Sequence, residues 1–188
     1  MTDKKTFSAI IITKDRPEYL NNAIKSVKNQ TKHVDEIIVV NNGKKPIKKH
    51  SGVKYIHTKY AIGSSNARNI GAKNSKSMYL AFLDDDDIWE KNYIKNSIKY
   101  VNSERILLGK IFSRNSKKVI KIKSEKFKKH NIDLLNLYKK NPGIIGSNII
   151  ISKKAFNTIG GYDKKLPLGQ DKAIVIEGIK KGFKVLRT

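Results

Sequence analysis

Four consecutive aspartates, at positions 84–87, directly follow an apolar run at positions 78–83. Such a run of aromatic and aliphatic side chains is typical of a buried strand. Four carboxylates at one strand end repel each other unless a positive group neutralises them. Because carboxylate oxygens are ligands that Mg²⁺ and Mn²⁺ prefer, the pattern favours a divalent metal site. Alternatively, Asp86 or Asp87 caps a helix that begins at Ile88, but one cap would explain only one aspartate.

The segments around the aspartates alternate between strand and helix patterns. We predict strands at 6–13, 34–40, 53–57 and 78–83, a helix that begins at Pro17, and helices at 66–73 and about 90–102. Short connections in this order favour an α/β fold with a mostly parallel central sheet and helices on both faces. The turns at 13–16, 41–43 and 84–87 then lie at strand carboxyl ends, where we expect them to form one crevice.

The second half of the chain has a less regular pattern. We predict a hairpin of strands 105–112 and 117–122, a helix at 127–140, a strand at 144–152, helices at 153–159 and 171–181, and a last strand at 183–186. Glycines at 160–161 and at 182 are expected to end the last two helices. Because there is no internal repeat and no flexible linker, we expect a single domain over residues 1–188.

The composition is strongly basic, with 40 Lys+Arg against 16 Asp+Glu and a formal net charge of +24. Such a charge would attract nucleic acid, anionic lipid or phosphorylated substrates. However, 35 of the basic residues are lysines, whereas arginine is the residue that recognises phosphate and guanine with a fork of donors. A compositional drift of the genome explains the abundance of Lys, Ile and Asn equally well. We therefore expect no nucleic-acid partner and leave peripheral contact with an anionic membrane open.

The absence of cysteine and the scatter of the histidines limit the cellular location and the metal chemistry that we expect for this protein. The chain has no cysteine, which excludes disulfides and thiolate metal ligands. Its apolar stretches are too short to span a bilayer. These features predict a cytoplasmic protein, with the inner membrane face as the place of any peripheral contact. The four histidines, His33, His50, His57 and His130, are scattered and are expected at the surface.

Five segments form a series along the chain. They are Thr13-Lys-Asp-Arg-Pro17, Ile37-Ile-Val-Val-Asn-Asn-Gly43, Ala67-Arg-Asn-Ile-Gly-Ala72, Leu80-Ala-Phe-Leu-Asp-Asp-Asp-Asp-Ile-Trp89, and Gly160-Gly-Tyr-Asp163 followed by Gln170-Asp171. Together they resemble glycosyltransferase family 2, whose members are inverting enzymes of the GT-A fold. Each segment alone is a weak signal. In this order and at family-like spacing, they extend the resemblance over nearly the whole chain, from Phe7 to Leu186.

The resemblance implies a donor site and a catalytic base. Asp84 and Asp86 match the family's Asp-x-Asp, which implies that Asp84 lies near the ribose and that Asp86 binds a Mn²⁺ or Mg²⁺ ion on the diphosphate. Asp85 is expected to belong to the same nucleotide-sugar-binding group. Asp171 matches the general base, which would take the proton of the acceptor hydroxyl. The alternative for Asp171 is a helix cap or an acidic first-turn residue, where a carboxylate is favourable.

The resemblance also implies the residues around the nucleotide. Arg68 matches the family's arginine in the nucleotide pocket. Thr13, Asp15 and Arg16 match the turn after the first strand, which borders the base. Asn42 matches an aspartate that recognises the uracil ring in relatives.

Three features depart from the family's pattern. Relatives commonly have two acidic residues where this chain has Asn41 and Asn42, so UDP, the nucleotide that we expect, would meet an amide that both donates and accepts. Gln170 stands where relatives often have Glu. The sequence stops at Thr188, where many relatives continue with a segment that covers the acceptor, so we expect either a minimal catalytic core or part of a longer chain.

The sequence therefore predicts an inverting, metal-dependent glycosyltransferase. It would move a sugar from a nucleotide-diphosphate sugar to a hydroxyl of a glycan or glycolipid acceptor, in cell-envelope polysaccharide or glycolipid synthesis. A first alternative is a basic binding module for nucleic acid or anionic surfaces that has lost catalysis. A second is a nucleotidyltransferase, which needs a glycine-rich phosphate loop after the first strand, and the turn at 13–17 contains no glycine.

Overall fold

The computed structural model describes residues 4–110, 112–115, 118–121, 132 and 134–188. Its strands are β1 Phe7–Thr13, β2 Glu36–Asn41, β3 Lys54–His57, β4 Tyr79–Asp84, β5 Arg105–Leu108, β6 Phe112–Asn115, β7 Lys118–Lys121, β8 Ile149–Ser152 and β9 Lys184–Arg187. Its α-helices are α1 Pro17–Lys28, α2 Ser64–Asn74, α3 Tyr93–Ser97, α4 Leu134–Lys139, α5 Lys153–Ile159 and α6 Gln170–Lys180, and a short 3-10 helix spans Gly146–Asn148.

A seven-stranded sheet in the order β3-β2-β1-β4-β8-β5-β9 forms the centre of the molecule. Neighbouring strands are parallel except at β8, which is antiparallel to both β4 and β5. Strands β6 and β7 form a separate hairpin. The predicted fold class, a mostly parallel sheet in an α/β domain, is confirmed.

The core lies on both faces of this sheet, which explains why its central strands are apolar at nearly every position. In β4, Leu80 and Phe82 join a cluster that includes residues of α5 and α6. Their neighbours Ala81 and Leu83 point to the other face and join a cluster with residues of α1. Because side chains alternate along a strand, one continuous apolar run contributes side chains to the core clusters on both faces of the sheet. The carboxyl end of the run is then left at the sheet edge.

Two predicted elements of the second half were wrong in place or extent, and a third is described only in part. β5 belongs to the main sheet, and the hairpin pairs 112–115 with 118–121 instead of using 105–112. Residues 146–148, predicted as strand, form the 3-10 helix before β8. The predicted helix at 127–140 is described only at its end, as α4, since 127–131 and 133 lie outside the described residues.

The predicted helix at 90–102 is also wrong, because α3 covers only five residues. The Lys5 ammonium donates to the carbonyl oxygens of Ile98 and Val101, at 3.0 and 3.1 Å. These carbonyls follow the helix, so a side chain distant in sequence pairs the backbone there instead of a further helical turn. No helix within the described ranges has both the length and the apolar character needed to cross a membrane.

Candidate active site

Three turns meet at the carboxyl edge of the sheet, after β1, β2 and β4. They lie side by side because β1 pairs in parallel with β2 on one side and with β4 on the other. The Thr13 hydroxyl donates to Asp85 Oδ2 at 2.6 Å, and the Asn42 N–H donates to the Thr13 carbonyl at 3.0 Å. The predicted convergence of these turns on one crevice is confirmed.

Arg16 neutralises two of the four aspartates. Its Nη2 lies 2.5 Å from Asp85 Oδ1, and its Nη1 lies 2.6 Å from Asp86 Oδ2. Burial raises the pKa of Asp85, while the Thr13 hydrogen bond and the charge of Arg16 act in the opposite direction. The Asp85 side chain is fully buried, whereas that of Asp86 is 46% exposed. Asp85 therefore fixes the turn, and Asp86 remains accessible to a ligand.

Arg68, on α2, joins Asp84 to Asp171. Its Nη2 lies 2.6 Å from Asp84 Oδ1, and its Nη1 lies 3.3 Å from Asp171 Oδ1. The guanidinium is buried, 5.1 Å from the centre of the Tyr162 ring. Burial lowers the pKa of Arg68, but the interactions with Tyr162 and the two carboxylates outweigh this and raise it. Arg68 is therefore a permanent positive charge between residues that are 87 positions apart in the chain.

Asp171 lies in the first turn of α6, after Gly169 at the N-cap. Burial raises the pKa of Asp171, the charge of Arg68 lowers it, and Asp84 raises it again; the net direction is upward. A carboxylate with a raised pKa is a stronger base than an ordinary one. Asp171 does occupy the first turn of a helix, as the alternative interpretation expected. Its ion pair with Arg68 also connects its carboxylate to the crevice.

Gly146, in the 3-10 helix before β8, leaves the space that Arg68 occupies. A Cβ at this position would collide with Arg68 Nη2 and would lie 3.0 Å from Asp84 Oδ2. The absence of a side chain at Gly146 therefore allows the Arg68–Asp84 ion pair to form. The role of this residue is not visible in the sequence, because nothing in the local pattern of residues 143–148 points to a contact with α2.

Ser147 binds the last of the four aspartates and was not identified from the sequence either. Its hydroxyl donates to the Asp87 carboxylate and accepts a hydrogen bond from the Asp84 N–H at 3.0 Å. The Trp89 indole donates to the Ser147 carbonyl at 3.1 Å. Burial raises the pKa of Asp87, and the Ser147 hydrogen bond opposes this. The predicted helix cap at Asp86 or Asp87 is wrong, since the next helix begins only at Tyr93.

A pocket of about 200 Å³ opens beside the turn after β1. Its lining consists of Ile12, Thr13, Lys14, Arg16, Asn42, Ala61, Gly63 and Ser64. Asn42 is 6% exposed, and its Oδ1 is buried without a hydrogen-bond partner in the described part of the chain. Because an unpaired buried polar atom is unfavourable, this amide indicates a place for a polar ligand.

Asp15 connects the turn after β1 to the turn after β2. Its Oδ1 accepts from the N–H groups of Lys44 and Lys45, at 2.7 and 2.8 Å. The hydrogen bond from Lys45 is the largest cause that lowers the pKa of Asp15, and burial opposes it. Asp15 has a φ of 59°, and a Cβ at Gly43 would collide with its backbone nitrogen. The two turns thus approach closely, and one carboxylate oxygen of Asp15 is committed to the backbone.

The aspartate run offers a partial set of metal ligands. Within the described ranges, no group of three or more His, Cys, Asp or Glu side chains could hold a metal ion. Mg²⁺ is usually bound by one or two carboxylates together with substrate phosphates. Asp86, accessible and with hard oxygen donors, fits such a site. The residues present therefore suit an ion completed by a nucleotide diphosphate rather than one held by protein alone.

All nine residues predicted for the site lie at this edge of the sheet. They are Thr13, Asp15, Arg16, Asn42, Arg68, Asp84, Asp85, Asp86 and Asp171. Gln170, beside the candidate base, donates to Ser64 Oγ at 3.2 Å and to the Pro167 carbonyl at 3.0 Å. His33 and His57 are exposed, whereas His130 lies outside the described residues.

The mostly parallel sheet, with one antiparallel strand and the aspartate run at its carboxyl edge, is that of the GT-A fold. The family model described as glycosyl transferase family 2 matches residues 8–160. The chain belongs to this family. The predicted resemblance and the predicted GT-A fold are therefore confirmed.

Solved structures show the same fold. The chain superimposes on S. aureus TarS 1-349 in complex with UDP-GlcNAc with a TM-score of 0.74 and 16% identity, over 97% of this chain and 56% of that chain. It superimposes on GalNAc-T7 with UDP, GalNAc and Mn²⁺ with a TM-score of 0.74 and 16% identity, over 100% of this chain and 43% of that chain.

Sequence relatives are longer proteins. A glycosyltransferase of Rickettsia felis is 31% identical over 182 residues, which cover 87% of this chain and 30% of the relative. The Escherichia coli UDP-Glc:alpha-D-GlcNAc-diphosphoundecaprenol beta-1,3-glucosyltransferase WfaP is 36% identical over 61 residues, which cover 32% of this chain and 24% of that protein. The chain thus spans less than a third of the length of these two relatives.

Proposed function

We propose that this domain transfers a sugar from a nucleotide-diphosphate sugar, a UDP-sugar, to a hydroxyl acceptor with inversion at the anomeric carbon. The contact of Arg68 with both Asp84 and Asp171 carries this proposal. It brings the candidate base next to the aspartates that would face the diphosphate. Membership of glycosyl transferase family 2, and the UDP and UDP-GlcNAc named with the TarS structures, support a nucleotide-sugar donor.

In the proposed reaction, Asp171 accepts the proton of the acceptor hydroxyl. The acceptor oxygen forms a bond to the anomeric carbon, while the bond from this carbon to the diphosphate oxygen breaks and its electron pair leaves with the nucleoside diphosphate. A single displacement from the face opposite the leaving group inverts the anomeric centre. A general base of this kind contributes about 10²–10⁴-fold to the rate. The charge of Arg68 favours the ionised form of Asp171, because it lowers the pKa that burial raises.

The donor would be held by the turns after β1 and β4. Asp84 would lie near the ribose, with Thr13, Arg16 and Asp85 shaping the floor of the site. Asp86 would hold a Mn²⁺ or Mg²⁺ ion, which when bound supplies positive charge against the charge that develops on the diphosphate. Arg16 contacts Asp86 and Asp85 together, so it can release Asp86 to such an ion and still neutralise Asp85.

The acceptor would be a glycan or a glycolipid of the cell envelope. Two observations support this part of the proposal. The name of the E. coli relative WfaP includes a lipid-diphosphate acceptor. The net charge of +24 suits an anionic surface such as the inner membrane face, to which the domain would bind peripherally.

Release of the nucleoside diphosphate from UDP-sugars, with Mn²⁺ and lipid-linked or glycan acceptors present, tests the proposal. We expect Asp171→Asn to lower the release rate by about 10²–10⁴-fold and to keep nucleotide binding. Asp163→Asn is the matched control, because Asp163 is exposed and its Oδ1 accepts from the Lys165 N–H, which Asn can also do. If Asp171→Asn released the nucleoside diphosphate at the wild-type rate, Asp171 would have only a structural role.

A further inference from the structure

The side chain of Asn42 has no hydrogen-bond partner in the part of the chain that the structure describes, whereas its backbone has two. Its backbone N–H donates to the Thr13 carbonyl at 3.0 Å, and its carbonyl accepts from the Ala61 N–H at 2.8 Å. The side-chain amide makes no hydrogen bond to the described residues, although the residue is 6% exposed and lines the pocket beside β1. Because the backbone is fixed at both polar atoms, the amide is held beside the pocket, and a half-turn about its terminal torsion exchanges the positions of its donor and its acceptor.

The other uncharged polar side chains of this pocket, those of Thr13 and Ser64, each have a hydrogen-bond partner. The Thr13 hydroxyl donates to Asp85, and Ser64 Oγ accepts from Gln170. The charged residues of the lining, Lys14 and Arg16, are both cationic, so no carboxylate belongs to the lining that the structure describes. Ser64 keeps its hydroxyl hydrogen, but the amide of Asn42 is the side chain of this lining that offers a donor and an acceptor side by side to a base edge.

The size of the pocket suits one base. Its volume of about 200 Å³ is below the roughly 300–1,000 Å³ of pockets that hold drug-sized ligands. A single base fits this space, and its ribose and diphosphate would extend toward the aspartates.

An amide is complementary to both pyrimidine edges. Its oxygen can accept from N3–H of uracil while its NH₂ donates to O4. With cytosine the roles are equally available, because the NH₂ donates to N3 and the oxygen accepts from the N4 amine. A carboxylate at the same place accepts N3–H of uracil, but with cytosine it sets one oxygen against the N3 lone pair.

We propose that Asn42 sets the base selectivity of the donor site and lets it accept cytidine diphosphates as well as uridine diphosphates. This inference rests on the proposed nucleotide-sugar site. It extends the donor class from UDP-sugars to pyrimidine diphosphate sugars.

Asn41 provides a matched control one residue away. It is as buried as Asn42, at 3% exposed, but its Oδ1 accepts from the Gly43 N–H at 2.9 Å. A carboxylate oxygen can accept the same hydrogen bond, so Asn41→Asp adds the same charge to the same turn without placing it on the base. Asn42→Asp and Asn41→Asp therefore differ in position relative to the pocket and not in chemistry.

Calorimetric titrations with UDP and with CDP, at one fixed Mn²⁺ concentration, test the inference. For the wild type we expect dissociation constants within about threefold of each other, and for Asn42→Asp a shift of the ratio toward UDP by about tenfold or more, in line with the discrimination of one bidentate pair. Asn41→Asp should keep the wild-type ratio.

Two results would overturn the inference while UDP still binds. One is a wild-type dissociation constant for CDP more than about tenfold above that for UDP, since one bidentate pair can discriminate to that extent. The other is an unchanged ratio in a folded Asn42→Asp protein. If that variant does not fold, the wild-type ratio alone decides. Binding of neither nucleotide would instead contradict the proposed nucleotide-sugar site, so the two failures are distinguishable.

Discussion

Arg68 interacts differently with its two carboxylate partners, Asp84 and Asp171. It donates a hydrogen bond to Asp84 at 2.6 Å, whereas Asp171 Oδ1 lies 3.3 Å from Nη1 and accepts no hydrogen bond from the described residues. Asp171 therefore receives the electrostatic effect of the guanidinium without having the Oδ1 lone pairs occupied by it. Oδ1 thus keeps its lone pairs for the proton that a general base must accept.

The pH dependence of transfer follows from the pKa of Asp171. Burial raises this pKa, and the base is active only when ionised. Activity should therefore be full well above the raised pKa and should be lost as the pH falls through it. We expect kcat/KM to decline with a midpoint above the ordinary aspartate pKa of about 3.9, with nucleotide binding measured at each pH as the control. A profile that stays flat to that ordinary value would contradict the assignment.

Replacement of Arg68 by Lys should move that midpoint. Lysine keeps the charge but has one nitrogen, so it cannot contact Asp84 and Asp171 together as the guanidinium fork does. Because Asp84 has the shorter contact, we expect the ammonium to stay with Asp84 and the pKa of Asp171 to rise. The kcat/KM profile of Arg68→Lys should therefore shift to higher pH than that of the wild type. An identical midpoint would show that Arg68 does not influence the base.

At the scale of elements, the 3-10 helix before β8 determines whether Arg68 fits. We expect Gly146→Ala to lower kcat/KM by about tenfold or more, because the new methyl group would displace Arg68 from Asp84. Overpacking of this kind costs about 1–3 kcal/mol, so the melting temperature should also fall by several degrees.

A double-mutant cycle separates this steric cause from a general loss of stability. In the Arg68→Ala background, the guanidinium is absent, which leaves room for the methyl group. The second substitution, Gly146→Ala, should then have much less effect on kcat/KM than it has alone. Additive effects of the two substitutions would show that Gly146 acts on the site by another route.

The elements up to Asp84 could be predicted because their signals are local. Each is a run of one periodicity, and parallel strands with short crossovers leave few arrangements. β8 could not be placed in the same way, since it enters the sheet antiparallel between β4 and β5, strands that precede it by about 40 to 70 positions. The end of α3 likewise depends on Lys5, about 90 residues earlier.

The residues of the site likewise divide into those that could be predicted from local motifs and those that could not. The motifs identified the residues with distinctive chemistry, such as Arg68 and Asp171. They did not identify Gly146 and Ser147, whose types are ordinary and whose contacts reach the aspartates from the other half of the chain. The free amide of Asn42 could not be predicted either, because it depends on which neighbouring side chains are already paired.

At the scale of the whole molecule, the net charge of +24 predicts different salt dependences for DNA binding and for UDP binding. Attraction to nucleic acid through many lysines should fall by about 10³–10⁵-fold between 50 and 200 mM salt if six to ten phosphates are contacted. Binding of UDP at one site should change far less over this range. Titrations of a DNA oligonucleotide and of UDP with Mn²⁺ at both salt concentrations compare the two. DNA binding that falls steeply with salt, together with no UDP binding at either salt concentration, would favour the alternative of a basic binding module.

Thermal unfolding with and without UDP and Mn²⁺ tests the central claim, a nucleotide-sugar site at the aspartate edge, most directly. A ligand at about 100 times its dissociation constant adds roughly 2.7 kcal/mol of stability, which corresponds to a rise of about 5–10 °C for a chain of this size. We predict that this rise requires UDP and Mn²⁺ together and is lost in Asp86→Ala but kept in Asp163→Ala. An equal rise in Asp86→Ala, or no rise in the wild type, would contradict the claim.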